Sequence, residues 1–462
     1  MQKHLRLAPL VLLAVAAIVL GGVIYYKPFW GFMDDAVHIF TMVPTIERDG
    51  ILRALWNYSQ GDLAWGMFRP TYALMVYPLY KPGIVWGPSL TFFINALFAL
   101  VCVGYCGSVL ARIVAVRREW VLVGSAAFFY QYDLFQYPSL QEKLILIFGA
   151  LFVRLAWGPL VRDRYTHFFL FAVVFLLGVF SKASFMIYFS MAIWAYFSAH
   201  KERLFLRREA AFYARLGAFL LIGFCAIGFF AFISARGGYT NQYSFTKVMP
   251  NLLSIDGALF VVPLGLFILW ILKEPKLFLA QPERLTAFWG VLAFLVIFLP
   301  WGIKAYIQSV IGPVLVCLCV QLAEGFFSRI PQRVWQIPLA ALALATAAYR
   351  IPNMFTRLHD IGMAVKAVPD WERQGVKEIF LSCWEGSDSM RLYAEKFAQS
   401  SLKVTRIVDF RALEGKAIFF DLALCPLPDR ANLIPGCSSQ EILFEGKFKK
   451  SFRLAKGKGC SG

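Results

Sequence analysis

Apolar residues fill this chain in long blocks, separated by short polar connections. The blocks 10–26, 90–109 and 168–180 carry no charge, and about 20 such residues cross a hydrocarbon core of roughly 30 Å. The pattern predicts an α-helical polytopic membrane protein of about 11 transmembrane helices. Spans are expected near 9–26, 88–111, 119–131, 140–157, 166–180, 184–199, 212–234, 251–272, 286–300, 307–324 and 335–350. The stretch 166–199 would reach roughly 50 Å as one helix. It therefore reads as a tight hairpin turning at Ser181-Lys182.

Two polar regions break the pattern. Residues 27–87 form a large first loop. Within it Thr45 is placed to cap a helix whose Ile46, Leu52, Leu55 and Trp56 recur at helical spacing, a segment suited to lie in the membrane interface. A second helix is expected over 72–80, between Pro70 and Pro82. After Arg350 the composition shifts: strands are expected at 378–383, 402–410 and 417–424, and a helix at 387–400. The chain thus divides into a transmembrane domain, 1–350, and a small α/β soluble domain, 351–462.

Composition agrees with the membrane reading. The chain is 59% hydrophobic and 16% charged, against about 25% charged in soluble domains, and its mean hydropathy is +0.62. Net charge +18 would suggest nucleic acid in a soluble protein. Here the basic clusters fall in alternate short connections: Arg112, Arg117 and Arg118; Arg162 and Arg164; Lys201 to Arg208; Lys273 to Arg284; Arg329 and Arg333. That is the positive-inside pattern, and no nucleic-acid partner is called for. Lys3, His4 and Arg6 put the N-terminus in the cytoplasm, ahead of an uncleaved first span. An odd number of spans then leaves the soluble domain outside, in the periplasm of a bacterial inner membrane. Of 9 cysteines, Cys102, Cys106, Cys225, Cys317 and Cys319 read as packing residues. Cys383, Cys425, Cys437 and Cys460 fall in the external domain, where four cysteines allow three pairings.

The external edge collects the groups that could do chemistry. Asp34 and Asp35 follow the first span; neighbours in sequence do not share a helix face, so one of them points into any given site. A solvated, capping role is the plain alternative. Arg69, between Phe68 and Pro70, is either a headgroup anchor or a phosphate ligand. Lys182 is either a snorkelling lysine or a cation facing phosphate. Tyr130, Asp133, Gln141, Glu142 and Lys143 decorate the hairpin after the third span, Arg236 follows the seventh, and Lys304 and Tyr306 follow the ninth. No glycine-rich phosphate loop, metal-spaced histidine cluster or nucleophile elbow stands out.

The order of these motifs resembles the GT-C superfamily of polyprenyl-phosphate-sugar-dependent glycosyltransferases. That superfamily includes the protein O-mannosyltransferases, the aminoarabinose transferases of lipid A and the bacterial dolichyl-phosphate-mannose-mannosyltransferase-like proteins. Asp34-Asp35 resembles the acidic pair of the first external loop, and Phe68-Arg69-Pro70 with Asn95 the arginine-proline motif and its downstream Asn. Glu142, Ser181-Lys182, and Lys304 and Tyr306 with Pro313 are similar to later motifs in the same order, over residues 1 to about 325. The resemblance implies an inverting transfer of sugar from a polyprenyl-phosphate donor to a lipid, polysaccharide or protein acceptor. Asp34 would be the base, and Asp35 would position the acceptor or bridge a divalent cation. Arg69, Lys182, Lys304 and Tyr306 would face the donor phosphate, with Asp133, Glu142 and Arg236 in support on the acceptor side. A transporter or flippase for a lipid-linked precursor, or a polymerase or ligase, is the alternative. A transporter would favour charges buried at mid-membrane and internal repeats, and neither is visible.

Overall fold

The computed structural model describes residues 7–31, 34–64, 67–158, 164–199, 217, 221–226, 228–229, 232, 244–300, 302–303, 305–381, 384–406, 417–421, 437–448 and 452–460. Among them, five helices are long and apolar enough to cross a membrane: Leu7–Tyr26, Pro88–Ile113, Ile255–Lys273, Ile307–Phe326 and Gln332–Arg373. Shorter helices stand at five more of the expected spans: Arg118–Ala127, Glu142–Trp157, Arg164–Val179, Met186–Ala199 and Thr286–Phe298. The expected span 212–234 falls largely outside the described residues.

The first helix, α1 (Leu7–Tyr26), leads into a loop that is itself helical. A one-turn helix α2 (Asp34–Val37) runs through a π-helical segment, His38–Met42, into α3 (Val43–Asp49). Gly50, at φ 82°, breaks the chain before α4 (Ile51–Ala64). The single capped helix expected from Thr45 is therefore two helices, and Thr45 lies inside the first rather than at its cap. Leu52 and Trp56 of α4 remain 80% and 66% exposed, leaving an apolar face outward as an interfacial helix would. The helix expected over 72–80 is longer, α5 (Pro70–Trp86): Pro70 sits in the first turn, where its missing N–H costs no bond, and the helix runs on through Pro78 and Pro82.

From there α6 (Pro88–Ile113), α7 (Arg118–Ala127) and α8 (Asp133–Gln136) lead to α9 (Glu142–Trp157), α10 (Arg164–Val179) and α11 (Met186–Ala199). Then follow α12 (Ile255–Lys273), α13 (Thr286–Phe298), α14 (Ala305–Gln321) and α15 (Gln332–Arg373). Inside the bundle the buried Tyr188 hydroxyl finds a backbone partner, donating to Val310 O at 2.9 Å. At the ends predicted to be cytoplasmic, Arg117 Nε donates to Glu324 at 2.7 Å and its Nη1 to Gln332 at 3.0 Å.

Helix α15 has 42 residues, about 63 Å at 1.5 Å per residue, twice the hydrocarbon thickness. It runs unbroken past residue 350, so the composition shift there marks a change of surroundings and not the end of the helix. The soluble fold begins with β1 (Glu378–Leu381) and α16 (Trp384–Phe397), followed by β2 (Lys403–Arg406) and β3 (Ala417–Asp421). Two longer strands, β4 (Cys437–Glu445) and β5 (Phe452–Cys460), complete a sheet of order β2-β1-β3-β5-β4. β1 pairs in parallel with β2 and β3, while β5 is antiparallel to β3 and β4. The last pairing sets Cys437 opposite Cys460 in register; Cys383 and Cys425 lie outside the described residues.

Candidate active site

The site begins where α1 ends. Residues 28–31 are strapped down by neighbours: Phe29 N donates to Leu358 O at 3.2 Å, Trp30 Nε1 to Thr91 Oγ1 at 3.3 Å, and Ser89 Oγ to Pro28 O at 3.4 Å. That strap aims the first turn of α2, and its two acids meet opposite environments. Asp34 is exposed and Asp35 is 5% exposed.

Asp35 accepts from Gly31 N at 2.7 Å on Oδ2 and from the Tyr80 hydroxyl on Oδ1. Burial pushes its carboxyl up to about 7; the two hydrogen bonds pull the other way, Asp34 adds to the rise and Lys143 opposes it. The Asp34 side chain is open to solvent yet walled by protein on most sides. This crowding raises its carboxyl above the ordinary value, and Arg69 and then Lys182 oppose the rise through their charges. Three stretches far apart in sequence thus meet at one carboxyl.

Each of the two cations comes with a carboxylate of its own. Arg69, just ahead of α5, grips Asp62 of α4 with a two-pronged contact, Nε to Oδ2 at 2.9 Å and Nη2 to Oδ1 at 2.7 Å. Lys182 is paired with Glu142, which is fully buried. The turn carrying Lys182 is joined to α5 by Thr71 N donating to Phe180 O at 3.3 Å and by Phe68 packed on Phe180. Arg69 and Lys182 are 18% and 21% exposed at their side chains, so both remain partly accessible. Paired cations present little net charge to a ligand. They present fixed N–H donors.

His38 is buried nearby, with Nε2 against the Tyr72 hydroxyl. Burial, aided by Arg69, drives its imidazole down to about 3, so the ring is neutral. The hairpin after α7 closes the other side. Asn95 of α6 donates to Leu134 O at 2.9 Å and Phe135 O at 3.0 Å, and the buried Lys143 ammonium donates to Tyr137 O and Pro138 O at 2.9 Å.

Other residues singled out in the sequence lie elsewhere. Asp133 is paired with Arg350 of α15, whose guanidinium lies 4.1 Å from the Phe129 ring centre. This clamp ties the hairpin to the long helix, and burial, opposed by Arg350, raises the Asp133 carboxyl to about 6. Arg236 and Lys304 lie outside the described residues, and of Tyr306 only the backbone, in α14, is described. Sequence reading did not single out Asp62, His38, Tyr72, Tyr80 or Arg350, which become visible only through tertiary pairing. Among the described residues no cluster of three or more His, Cys, Asp or Glu could hold a metal ion.

Two solved structures are similar to this chain. The crystal structure of ArnT from Cupriavidus metallidurans in the apo state is 11% identical, with a TM-score of 0.43 and 96% of both chains covered. That of the same protein bound to undecaprenyl phosphate is 11% identical, with a TM-score of 0.43 and 97% of both chains covered. No family model matches the chain, and no curated protein does.

Proposed function

We propose that this chain is a membrane glycosyltransferase of GT-C type, moving a sugar from a polyprenyl-phosphate donor to a lipid, polysaccharide or protein acceptor. The observation that carries this reading is an accessible carboxylate, Asp34, in the field of two oriented cations, Arg69 and Lys182. The motif order supports it independently. The reaction runs at the periplasmic edge of a bacterial inner membrane, where sugar arrives already attached to a lipid phosphate.

The acceptor hydroxyl attacks the anomeric carbon as the bond from that carbon to the phosphate oxygen breaks. The acceptor proton passes to Asp34, the electron pair leaves with the phosphate, and the anomeric centre inverts. A base should hold its proton affinity near the working pH, and a carboxyl raised above the ordinary range moves toward that condition. Arg69 and Lys182 donate to the departing phosphate oxygens. Asp62 and Glu142 keep those donors aimed. Asp35 holds the backbone of the turn, and Lys304 and Tyr306 add to the phosphate side. Asp133 and Arg236 belong to the acceptor approach, Asp133 by bracing the hairpin.

Purified protein incubated with radiolabelled polyprenyl-phosphate sugar should pass label to an acceptor. Asp34→Asn should lower the rate by about 10²–10⁴-fold while leaving purification yield and thermal unfolding unchanged. Full activity in Asp34→Asn removes the base assignment. Label that crosses vesicles without being transferred replaces the enzyme with a transporter.

A further inference from the structure

The soluble domain touches the acidic turn directly. Tyr393 of α16 is fully buried, and its hydroxyl donates to Gly31 O at 2.5 Å. The N–H of the same residue, in the preceding peptide unit, donates to Asp35 Oδ2 at 2.7 Å. Around this contact an aromatic cluster joins the two regions. Phe29 packs edge-on to Tyr393 with ring centres 5.3 Å apart, Phe40 lies 5.7 Å from both Tyr393 and Phe397, and Trp30 lies 5.3 Å from Phe397. Packing of rings alone could be met by Phe at position 393. A hydroxyl buried there and bonded to a carbonyl of the strap does something packing does not: it anchors the peptide that follows Gly31.

We propose that Tyr393 is a positioning residue: through Gly31 it orients Asp35, and with it the α2 turn that aims Asp34, so that the soluble domain completes a site built mainly by the transmembrane domain. The Gly31 N–H and the Gly31 carbonyl belong to successive peptide planes that meet at its Cα, where glycine's φ and ψ are unusually free. With the carbonyl held by Tyr393 and the N–H by Asp35, that freedom is taken up, and the N–H keeps the carboxylate in place. Asp35 is faced by Asp34 from its own turn, Tyr80 from α5, Tyr137 from the hairpin, Lys143 from α9 and Tyr393 from α16. Only the last of these comes from the soluble domain.

The activity arm of the test rests on the glycosyl-transfer reading; the second arm does not. Tyr393→Phe keeps the ring and removes the hydroxyl. It should lower kcat by about 10-fold, with KM for the lipid donor changed by less than about twofold, since a displaced reacting group costs turnover more than binding. In an infrared pH titration, the protonated-carboxyl band identified by its loss in Asp35→Asn should shift to higher pH in Tyr393→Phe, because one donor to the carboxylate is loosened. Phe397→Leu is the packing control: it should lower thermal stability and leave that midpoint in place. If Tyr393→Phe moves neither kcat nor the midpoint, or if Phe397→Leu moves the midpoint equally, the positioning role is overturned. A wild-type protein that transfers no sugar but shows the Tyr393-dependent midpoint would lose the glycosyltransferase reading and keep the relay.

Discussion

A carboxyl that is 5% exposed and carries a proton affinity of about 7 leaves a mark on stability as well as on chemistry. An unfolded aspartate titrates near 3.8, so between that value and about 7 the folded state binds more protons at Asp35 than the unfolded state does. Stability contributed by this group therefore falls as pH rises through that window and levels off above it. Asp35→Asn cannot ionise. Its thermal midpoint relative to wild type should rise between pH 4.5 and pH 8, on the order of several degrees; a constant difference across that range removes the assignment. The sequence already limited any site to one acid of the pair, because adjacent residues do not share a helix face, and Asp34 and Asp35 divide in that way. What held each acid could not be read in advance. Tyr80 stands 45 residues from Asp35 and the Asp62–Arg69 grip joins two helices; such partners are chosen by packing, which no local spacing encodes.

Helix pairs tell a similar story. The apolar blocks announced most of the spans because hydrocarbon thickness sets their length, but where helices cross depends on shape. At Gly22 of α1, an added Cβ would lie 2.3 Å from Ile351 Cγ2 of α15 and 3.4 Å from Phe355. The obstacle is a methyl on a β-branched carbon, with little freedom to swing aside. Gly22→Val should destabilise the protein by about 1–3 kcal/mol, read as a lowered unfolding temperature in detergent. Gly21→Val is the matched control, since nothing lies within 4 Å of a Cβ there. Equal effects at the two positions would refute a close crossing of α1 and α15. The break at Gly50 was legible in principle, because Asp49-Gly50 is a turn-forming pair; helical spacing on both sides of it concealed the interruption. The continuation of α15 past Arg350 was not legible, since polarity reports the surrounding solvent and Pro352 and Pro369, both inside the helix, argue locally against it.

Continuous helix and docked sheet together decide how rigidly the soluble domain rides on the bundle. Besides Tyr393 there is a second attachment, at the turn after β4. Phe448 N donates to both carboxylate oxygens of Asp360 at 3.2 and 3.3 Å, and Asp360 is fully buried in α15. The Phe448 ring sits 5.4 Å from Tyr26 and 5.2 Å from His359, while His359 Nδ1 meets Tyr26 O at 2.6 Å. The end of α1, the exit of α15 and the β4–β5 hairpin are therefore pinned at one point. A buried N–H deprived of its acceptor costs about 1–3 kcal/mol, so Asp360→Ala should let this hairpin open more often without melting the bundle. Amide hydrogen exchange measures this opening. Exchange in β4 and β5 should quicken by about 10-fold or more, while amides in α6 and α9 keep their wild-type protection. Protection lost equally in α6 and α9 would mean that Asp360 supports the bundle as a whole; protection unchanged in β4 and β5 would mean that the hairpin is held by the sheet alone. Only in the selective case are there two separable attachments, one holding the sheet to the membrane exit and one reaching the acidic turn through Tyr393.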